Sequence, residues 1–159
     1  AGTSERVHAQ WQRLKRAEND AKGITSALDG VPGYMPALMR AYRISQRAVA
    51  VGFEWGDMAG VMDQVEAEWR EFKDELGPDK GDDGACQRQM MEFGDLLFTL
   101  VNVARFVRFH PETALTAATR KFEQRFRRME AMAARQGQRL EELPRQALEG
   151  LWEAVKAEE

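Results

Sequence analysis

Apolar residues that recur every three or four positions are the feature that most restricts the fold of this chain. The clearest series is Val61, Val65, Trp69, Phe72 and Leu76. Residues with this spacing lie on one face of an α-helix, and that face packs against another element. Strand signals are scarce, because β-branched runs and strictly alternating patterns are few. The 159-residue sequence is therefore predicted to be all-α, with its helices packed as a bundle.

Capping residues and helix breakers divide this pattern into separate helices. Pro36 and Gly52 bound one helix, Asp57 caps the next, and Gly77 with the following proline ends it. The predicted helices cover about 5–18, 37–51, 57–76, 86–109 and 111–136, and a last helix begins near Pro144. The second half of the 86–109 helix is apolar almost all round, which predicts that this helix is buried.

Composition and charge exclude several classes of protein. A net charge of −3 provides no basic surface field, so we expect no nucleic-acid polymer as a partner. The single cysteine, Cys86, excludes an intrachain disulfide, and two histidines are too few for a histidine-rich metal site. No apolar run approaches the ~20 residues of a membrane span, and no signal peptide is recognisable. We therefore expect a cytoplasmic protein without a membrane partner.

Four acidic residues occur as two pairs, each with two residues between its members. Glu68 and Glu71 form one pair, and Glu92 and Asp95 form the other. Side chains three positions apart project from one helix face, with Cβ atoms about 5–6 Å apart. The short connector makes the two helices antiparallel neighbours, and a rise of about 1.5 Å per residue places the pairs at similar heights. Facing carboxylates repel one another unless a cation lies between them, and Mg²⁺ prefers such oxygen ligands.

A second interpretation of these acids remains open at this point. Acid pairs with this spacing are common on solvated helix faces, where they bind nothing. Against that, Glu92 and Asp95 lead into an apolar run, where carboxylates are costly to bury unless they are paired or metal-bound. Gly94 either leaves room for a ligand or allows a close contact between helices.

The residues around the acid pairs resemble the MazG family of nucleoside triphosphate pyrophosphohydrolases, which belong to an all-α NTP pyrophosphatase superfamily. The metal motif of that group, Glu-x-x-Glu followed by Glu-x-x-Asp, matches both pairs. Three longer segments also resemble it: VPGYMPALMRAYRISQRAVAVGFEW from Val31, EFGDLLFTLVNVAR from Glu92, and KFEQRFRRME from Lys121. By this resemblance, residues 23–159 are the MazG-like domain and residues 1–22 a helical lead-in or linker. The opening segment resembles the approach to the second of two tandem domains, which implies a C-terminal piece of a longer protein.

The resemblance implies an activity and a metal site. The expected reaction is hydrolysis of a nucleoside triphosphate to the monophosphate and pyrophosphate, with Mg²⁺ as cofactor and a homodimer as the active form. Glu68, Glu71, Glu92 and Asp95 are the expected metal ligands. Glu71 is also the expected catalytic residue, which takes a proton from the attacking water.

The resemblance also implies a set of nucleotide contacts. Lys121 and Arg125 match a nucleotide-contacting segment, Arg88 matches a basic phosphate contact, and Trp152 matches a tryptophan that stacks on a base. From the residues alone, a solvated basic face and a core position for Trp152 remain alternatives. Asn102, two turns after Asp95, either orients a ligand or packs as a buried amide.

One position departs from the family pattern and keeps other functions open. Gln64 stands one turn before the first acid pair, where a relative has lysine. Loss of a phosphate-binding lysine weakens affinity or changes substrate preference, which leaves room for a metal- and nucleotide-binding regulatory domain with little turnover. A purely structural helical module is a third hypothesis.

Overall fold

The computed structural model describes residues 26–77 and 84–158. Within these ranges it contains five α-helices, one short 3-10 helix and no strand, which confirms the all-α prediction. The elements are α1 (Ala37–Ala50), α2 (Met58–Glu75), α3 (Ala85–Phe106), α4 (Pro111–Arg135), the 3-10 helix (Leu140–Glu142) and α5 (Arg145–Ala157). The predicted helix at 5–18 and the predicted domain boundary at 22–23 lie outside the described residues. Most of the short connector between the helices predicted at 57–76 and 86–109 lies outside them as well. No helix in the described part is both long enough and apolar enough to cross a membrane.

The helix ends follow local rules, with one difference from prediction. The Asp57 carboxylate accepts a 2.9 Å hydrogen bond from the Gly60 amide and so caps α2, as predicted. Helix α3 ends at Phe106 rather than near Phe109. Arg108 has the left-handed φ of 63° that ends a helix, and a residue before proline, here His110, disfavours the helical conformation.

The chain divides into two compact units, and each is described by itself. The first unit ends at Pro111 and contains α1, α2 and α3. The second begins at Glu112 and contains the rest of α4, the 3-10 helix and α5.

In the first unit, α2 and α3 pack as antiparallel neighbours. Near the end of α2, the Glu75 carbonyl accepts a 2.9 Å hydrogen bond from Gln89, close to the start of α3. Further back along α2, the ring of Phe72 lies 5.4 Å from that of Phe93. Later residues of α3 therefore contact earlier residues of α2. The two helices are antiparallel, as predicted for helices joined by a short connector.

A polar network joins α1 to α3. The Ser45 hydroxyl donates a 2.5 Å hydrogen bond to the Asn102 side-chain carbonyl, and both residues are buried. The Asn102 amide in turn donates to the Phe98 carbonyl at 3.1 Å. Arg105 donates to Ser45 at 2.7 Å and forms a two-pronged ion pair with Glu54. These contacts hold α1 and the loop after it against α3.

The prediction that α3 is buried on every side is confirmed only in part. Leu96 and Val101 are buried, with 6% and 1% of their surface exposed. Leu97 and Leu100 remain 38% and 43% exposed, and Met90 is 59% exposed. The apolar surface of α3 is therefore larger than the area that the described residues of a single chain cover.

In the second unit, α4 and α5 contribute different parts of a small core. Met129 and Ala133 of α4 are buried, and so is Val155 of α5. Phe122 and Phe126 of α4 remain 55% and 40% exposed.

Candidate metal centre

Three of the four predicted acidic ligands converge between α2 and α3. One carboxylate oxygen each from Glu68, Glu92 and Asp95 lie within 4.8 Å of one another. Glu68 and Glu92 are half-buried, whereas Asp95 is exposed. The convergence follows from the antiparallel register, which brings the two acid-bearing segments to the same height. A group of this kind is able to hold a metal ion, although exposed acidic groups also occur without one.

Glu71 lies outside this group of three but acts on it electrostatically. Partial desolvation raises the pKa of Glu92 above its ordinary value, and the charge of Glu71 is the next largest cause. Asp95, Glu68 and Glu75 raise the pKa of Glu92 further. Negative charge is therefore concentrated around Glu92, and a cation placed there would relieve the repulsion.

The size and chemistry of the cluster fit a divalent ion. Oxygens on opposite sides of Mg²⁺ lie about 4.2 Å apart, because each bond is about 2.1 Å long. Among three ligands at most one pair lies opposite, and neighbouring oxygens lie about 3 Å apart. The three carboxylates, whose oxygens lie within 4.8 Å of one another, would therefore draw closer together around an ion. All three donors are carboxylates, the hard oxygen ligands that Mg²⁺ and Mn²⁺ prefer.

Space is available beside Asp95. A Cβ atom added at Gly94 meets no other atom within 4 Å among the described residues. The alternative that Gly94 permits a close contact between helices is therefore wrong for the described part of the chain. This leaves open space next to the acidic cluster.

Two polar residues near the cluster have contacts that the sequence left open. Gln64 donates a 2.6 Å hydrogen bond from its side-chain amide to the Glu68 carboxylate. The helical spacing of these two residues, four apart, is the signal that predicts such a contact. Asn102 is committed to Ser45 and the Phe98 carbonyl, so the structure favours its interpretation as a buried packing amide.

Arg88 lies on α3 one turn before Glu92 and forms an ion pair with α2. Its Nε atom is 2.9 Å from a carboxylate oxygen of Glu75, and its side chain is 41% exposed. The sequence predicted a phosphate contact for Arg88 but gave no role to Glu75. The ion pair holds the guanidinium on the same helix pair as the acidic cluster.

The remaining predicted nucleotide contacts lie in the second unit. Lys121 and Arg125 are on α4, and Trp152 is on α5. The Arg125 guanidinium lies 5.6 Å from the centre of the Trp152 ring, and the Phe122 ring lies 5.5 Å from it. The structure thus brings Arg125 and Trp152 together, while Lys121 is exposed on the same helix.

Trp152 also lines a cavity that sequence patterns did not reveal. The cavity has a volume of about 650 Å³ and lies within the second unit. Its apolar lining consists of Phe122, Phe126, Met129, Leu140, Leu148 and Trp152. The residues come from three elements, so no single helical stripe predicts the cavity. Its volume lies in the range of small-molecule sites.

Together, the helices and the converging carboxylates define an all-α protein with a candidate site for a divalent cation. No family model matches the chain, but curated relatives align along nearly all of it. The chain is 40% identical over 149 residues to the nucleoside triphosphate pyrophosphohydrolase/pyrophosphatase MazG of Thermotoga maritima, which is 94% of this chain. It is 38% identical over all 159 residues to the nucleoside triphosphate pyrophosphohydrolase of Escherichia coli K12. Over nearly all of its length the chain is therefore similar to relatives that are named nucleoside triphosphate pyrophosphohydrolases, one of them MazG.

The aligned relatives are longer than this chain. It spans 55% of the Thermotoga maritima protein and 59% of the Escherichia coli protein, a little over half of each. A Bacillus subtilis protein named YabN, described as uncharacterized, is 37% identical over 153 residues, which is 30% of its length. The similarity therefore covers one region of larger proteins.

Proposed function

We propose that this chain hydrolyses nucleoside triphosphates to nucleoside monophosphate and pyrophosphate with the help of Mg²⁺. The carrying observation is the convergence of Glu68, Glu92 and Asp95 oxygens within 4.8 Å in a chain whose relatives are named for this activity. In this proposal Glu68, Glu71, Glu92 and Asp95 hold the ion. Bound Mg²⁺ supplies positive charge that polarises the α-phosphoryl group and offsets charge on the leaving pyrophosphate.

The proposed reaction is an in-line displacement at the α-phosphorus. The oxygen of a water molecule forms a bond to this phosphorus, and the bond to the α,β-bridging oxygen breaks. Pyrophosphate leaves with the bridging oxygen and the electron pair of the broken bond. Besides helping to hold the ion, Glu71 accepts a proton from the water in this proposal. Its place outside the group of three, yet close enough to raise the pKa of Glu92, supports this second role.

The proposed nucleotide contacts are of two kinds: charged contacts to the phosphates and an aromatic contact to the base. Arg88, Lys121 and Arg125 bind phosphate oxygens, because guanidinium and ammonium groups donate charge-assisted hydrogen bonds to them. Trp152 stacks on the base, and its position at the wall of an apolar cavity supports this role. Arg125 lies over the face of Trp152, 5.6 Å from the ring centre, and this contact supports a role for both residues with one nucleotide.

We also propose that the chain acts as a homodimer. The supporting observation is the exposure of large apolar side chains along α3, where Met90, Met91, Leu97, Phe98 and Leu100 remain 38–59% exposed. A second copy of α3 would remove such surface from water, at roughly 25 cal/mol for each Å² buried. Analytical ultracentrifugation tests this proposal, and a monomer across micromolar concentrations contradicts it.

Product analysis tests the proposed reaction. Purified protein is incubated with Mg²⁺ and a panel of ribo- and deoxynucleoside triphosphates, and the products are separated by ion-exchange chromatography. Monophosphate and pyrophosphate in equal amounts support the proposal, whereas diphosphate and phosphate contradict it. Nucleotide binding without turnover would instead identify the metal- and nucleotide-binding regulatory domain.

A further inference from the structure

We propose that Gln64 is a positioning residue, which holds the Glu68 carboxylate in the orientation that binds the divalent cation. The Gln64 amide nitrogen donates a 2.6 Å hydrogen bond to Glu68 Oε1. Both side chains are half-buried and lie one turn apart on α2. Glu68 is also the one residue of α2 in the group of three converging carboxylates. Its orientation therefore decides whether α2 adds a third carboxylate oxygen to those of Glu92 and Asp95 in this group.

The physical reason is the freedom of a glutamate side chain. A Glu side chain has several rotatable bonds, and fixing it on an ion costs conformational entropy. A hydrogen bond that already fixes the carboxylate removes part of this cost before the ion arrives. Each carboxylate oxygen has two lone pairs, so one amide donor leaves acceptor sites for a cation. Groups that hydrogen-bond to metal ligands in this way commonly change metal affinity by 10–100-fold.

The neutrality of the amide matters as much as its geometry. A lysine at the same position would bring a positive charge to Glu68 and oppose cation binding. The Gln64 amide donates a hydrogen bond without reducing the negative charge of the cluster. Gln64 thus acts through Glu68 on the cation, and a direct phosphate contact is not needed to explain its position. This inference rests on the proposed function, because it assumes that the carboxylate cluster binds a cation.

The test measures metal binding by the protein without nucleotide. Mn²⁺ is titrated into the full chain, and free Mn²⁺ is followed by electron paramagnetic resonance. Gln64→Met keeps the length of the side chain and a good helix former but removes the donor. We expect the Mn²⁺ dissociation constant to rise about tenfold. Gln146→Met, the same change at an exposed position on α5, is expected to leave it unchanged, and circular dichroism confirms that both variants are folded.

A second comparison separates positioning from general damage to α2. Glu68→Asp keeps the negative charge but withdraws the carboxylate from Gln64 by one methylene. In this background Gln64→Met should change Mn²⁺ affinity less than twofold, because the hydrogen bond is already lost. An equal, tenfold loss in both backgrounds would show a role that does not pass through Glu68, and would overturn the inference.

Steady-state kinetics distinguish metal positioning from phosphate binding. Gln64→Met should raise the Mg²⁺ concentration needed for half-maximal rate and leave the nucleotide KM unchanged at saturating Mg²⁺. A raised nucleotide KM with unchanged Mn²⁺ affinity would overturn the inference in favour of a phosphate contact. If the wild-type protein binds Mn²⁺ and hydrolyses nucleotide but Gln64→Met binds Mn²⁺ equally well, only the role of Gln64 fails. If the wild-type protein neither binds Mn²⁺ nor hydrolyses nucleotide, the proposed function itself fails.

Discussion

The rings of Phe72 and Phe93 lie with their centroids 5.4 Å apart and their planes inclined by 49°. Phe72 directly follows Glu71 in the sequence, and Phe93 directly follows Glu92. The aromatic contact therefore joins the two helical segments that carry the acid pairs. Because a packed aromatic pair resists sliding of one helix along the other, it fixes the register in which the carboxylates meet.

Removal of the Phe72 ring should weaken both the fold and the metal site. We expect Phe72→Ala to lower the free energy of unfolding by about 2 kcal/mol, below the range for a fully buried ring because Phe72 is half-buried. Urea denaturation measures the loss, and Mn²⁺ titration should show weaker binding. Tyr34→Ala is the control, since Tyr34 is 90% exposed and its loss should change stability by less than about 0.5 kcal/mol. Equal effects of the two changes would contradict a role of Phe72 in the register.

Glu71→Gln should abolish turnover without unfolding the protein. The change preserves size but removes both the charge that binds metal and the proton acceptor. We expect kcat to fall by at least about 10²-fold, the usual contribution of a general base. Pyrophosphate release measures the rate, and circular dichroism measures folding. Glu66→Gln, at an exposed position on the same helix, should retain the wild-type rate; wild-type turnover by Glu71→Gln would remove Glu71 from the mechanism.

The raised pKa of Glu92 predicts a pH-dependent stability in the absence of divalent ions. Between the ordinary value of 4.5 and the raised pKa, the folded protein binds more protons than the unfolded chain. Stability should therefore fall as pH rises through the folded pKa of Glu92. Thermal denaturation in EDTA from pH 4.5 upwards should show this fall in stability for the wild type. The Glu92→Gln variant should not show it.

Divalent ions should reverse this dependence. A cation binds the ionised carboxylates, so its stabilising effect should grow as pH rises and protons no longer compete. The shift in Tm caused by Mg²⁺ or Mn²⁺ should therefore be larger at pH 8 than at pH 5. A shift of the same size at both pH values would argue against cation binding by this cluster.

Trp152 should affect nucleotide affinity through its aromatic face. Stacking of a base on an aromatic side chain contributes about 1–3 kcal/mol, so Trp152→Ala should raise the nucleotide KM by about 5- to 150-fold. Trp152→Phe keeps an aromatic face beside Phe122 and Arg125 and should recover most of the affinity. If Trp152 only anchors α5, Trp152→Ala will lower the Tm while the KM of the folded protein stays the same.

Asn102 should contribute to stability and not to metal binding. Its side chain links the Ser45 hydroxyl and the Phe98 carbonyl in a buried position. Asn102→Ala leaves the Ser45 hydroxyl without the acceptor of its proton and removes the side-chain bond to the Phe98 carbonyl, and should cost about 1–3 kcal/mol in urea denaturation. Glu54→Gln changes the more exposed end of the same network and should cost less than about 1 kcal/mol. A large loss of Mn²⁺ affinity in folded Asn102→Ala would contradict this assignment.

The sequence by itself determined the helices and the residues able to form the site. Helix limits depend on local chemistry: the Asp57 cap, the left-handed Gly52 at φ 91° and the prolines act on their immediate neighbours. The spacing of the two acid pairs likewise follows from the helical repeat, so the candidate ligands Glu68, Glu71, Glu92 and Asp95 are recognisable from their order along the chain. The family resemblance also lies in contiguous segments, and the aligned relatives confirm it.

Only the tertiary structure decided which of these residues meet. Convergence of Glu68, Glu92 and Asp95, with Glu71 outside the group, depends on the register of α2 against α3 and on side-chain rotamers. Both are set by packing between residues far apart in sequence, such as Phe72 and Phe93. The exposure of apolar side chains on α3 could not be predicted from the helical pattern either. Such a pattern shows which faces of a helix are apolar but not which neighbouring elements cover them. The contact of Gln64 depends on both. Its spacing from Glu68 along the helix permits a hydrogen bond, and the side-chain conformations in the packed structure form it.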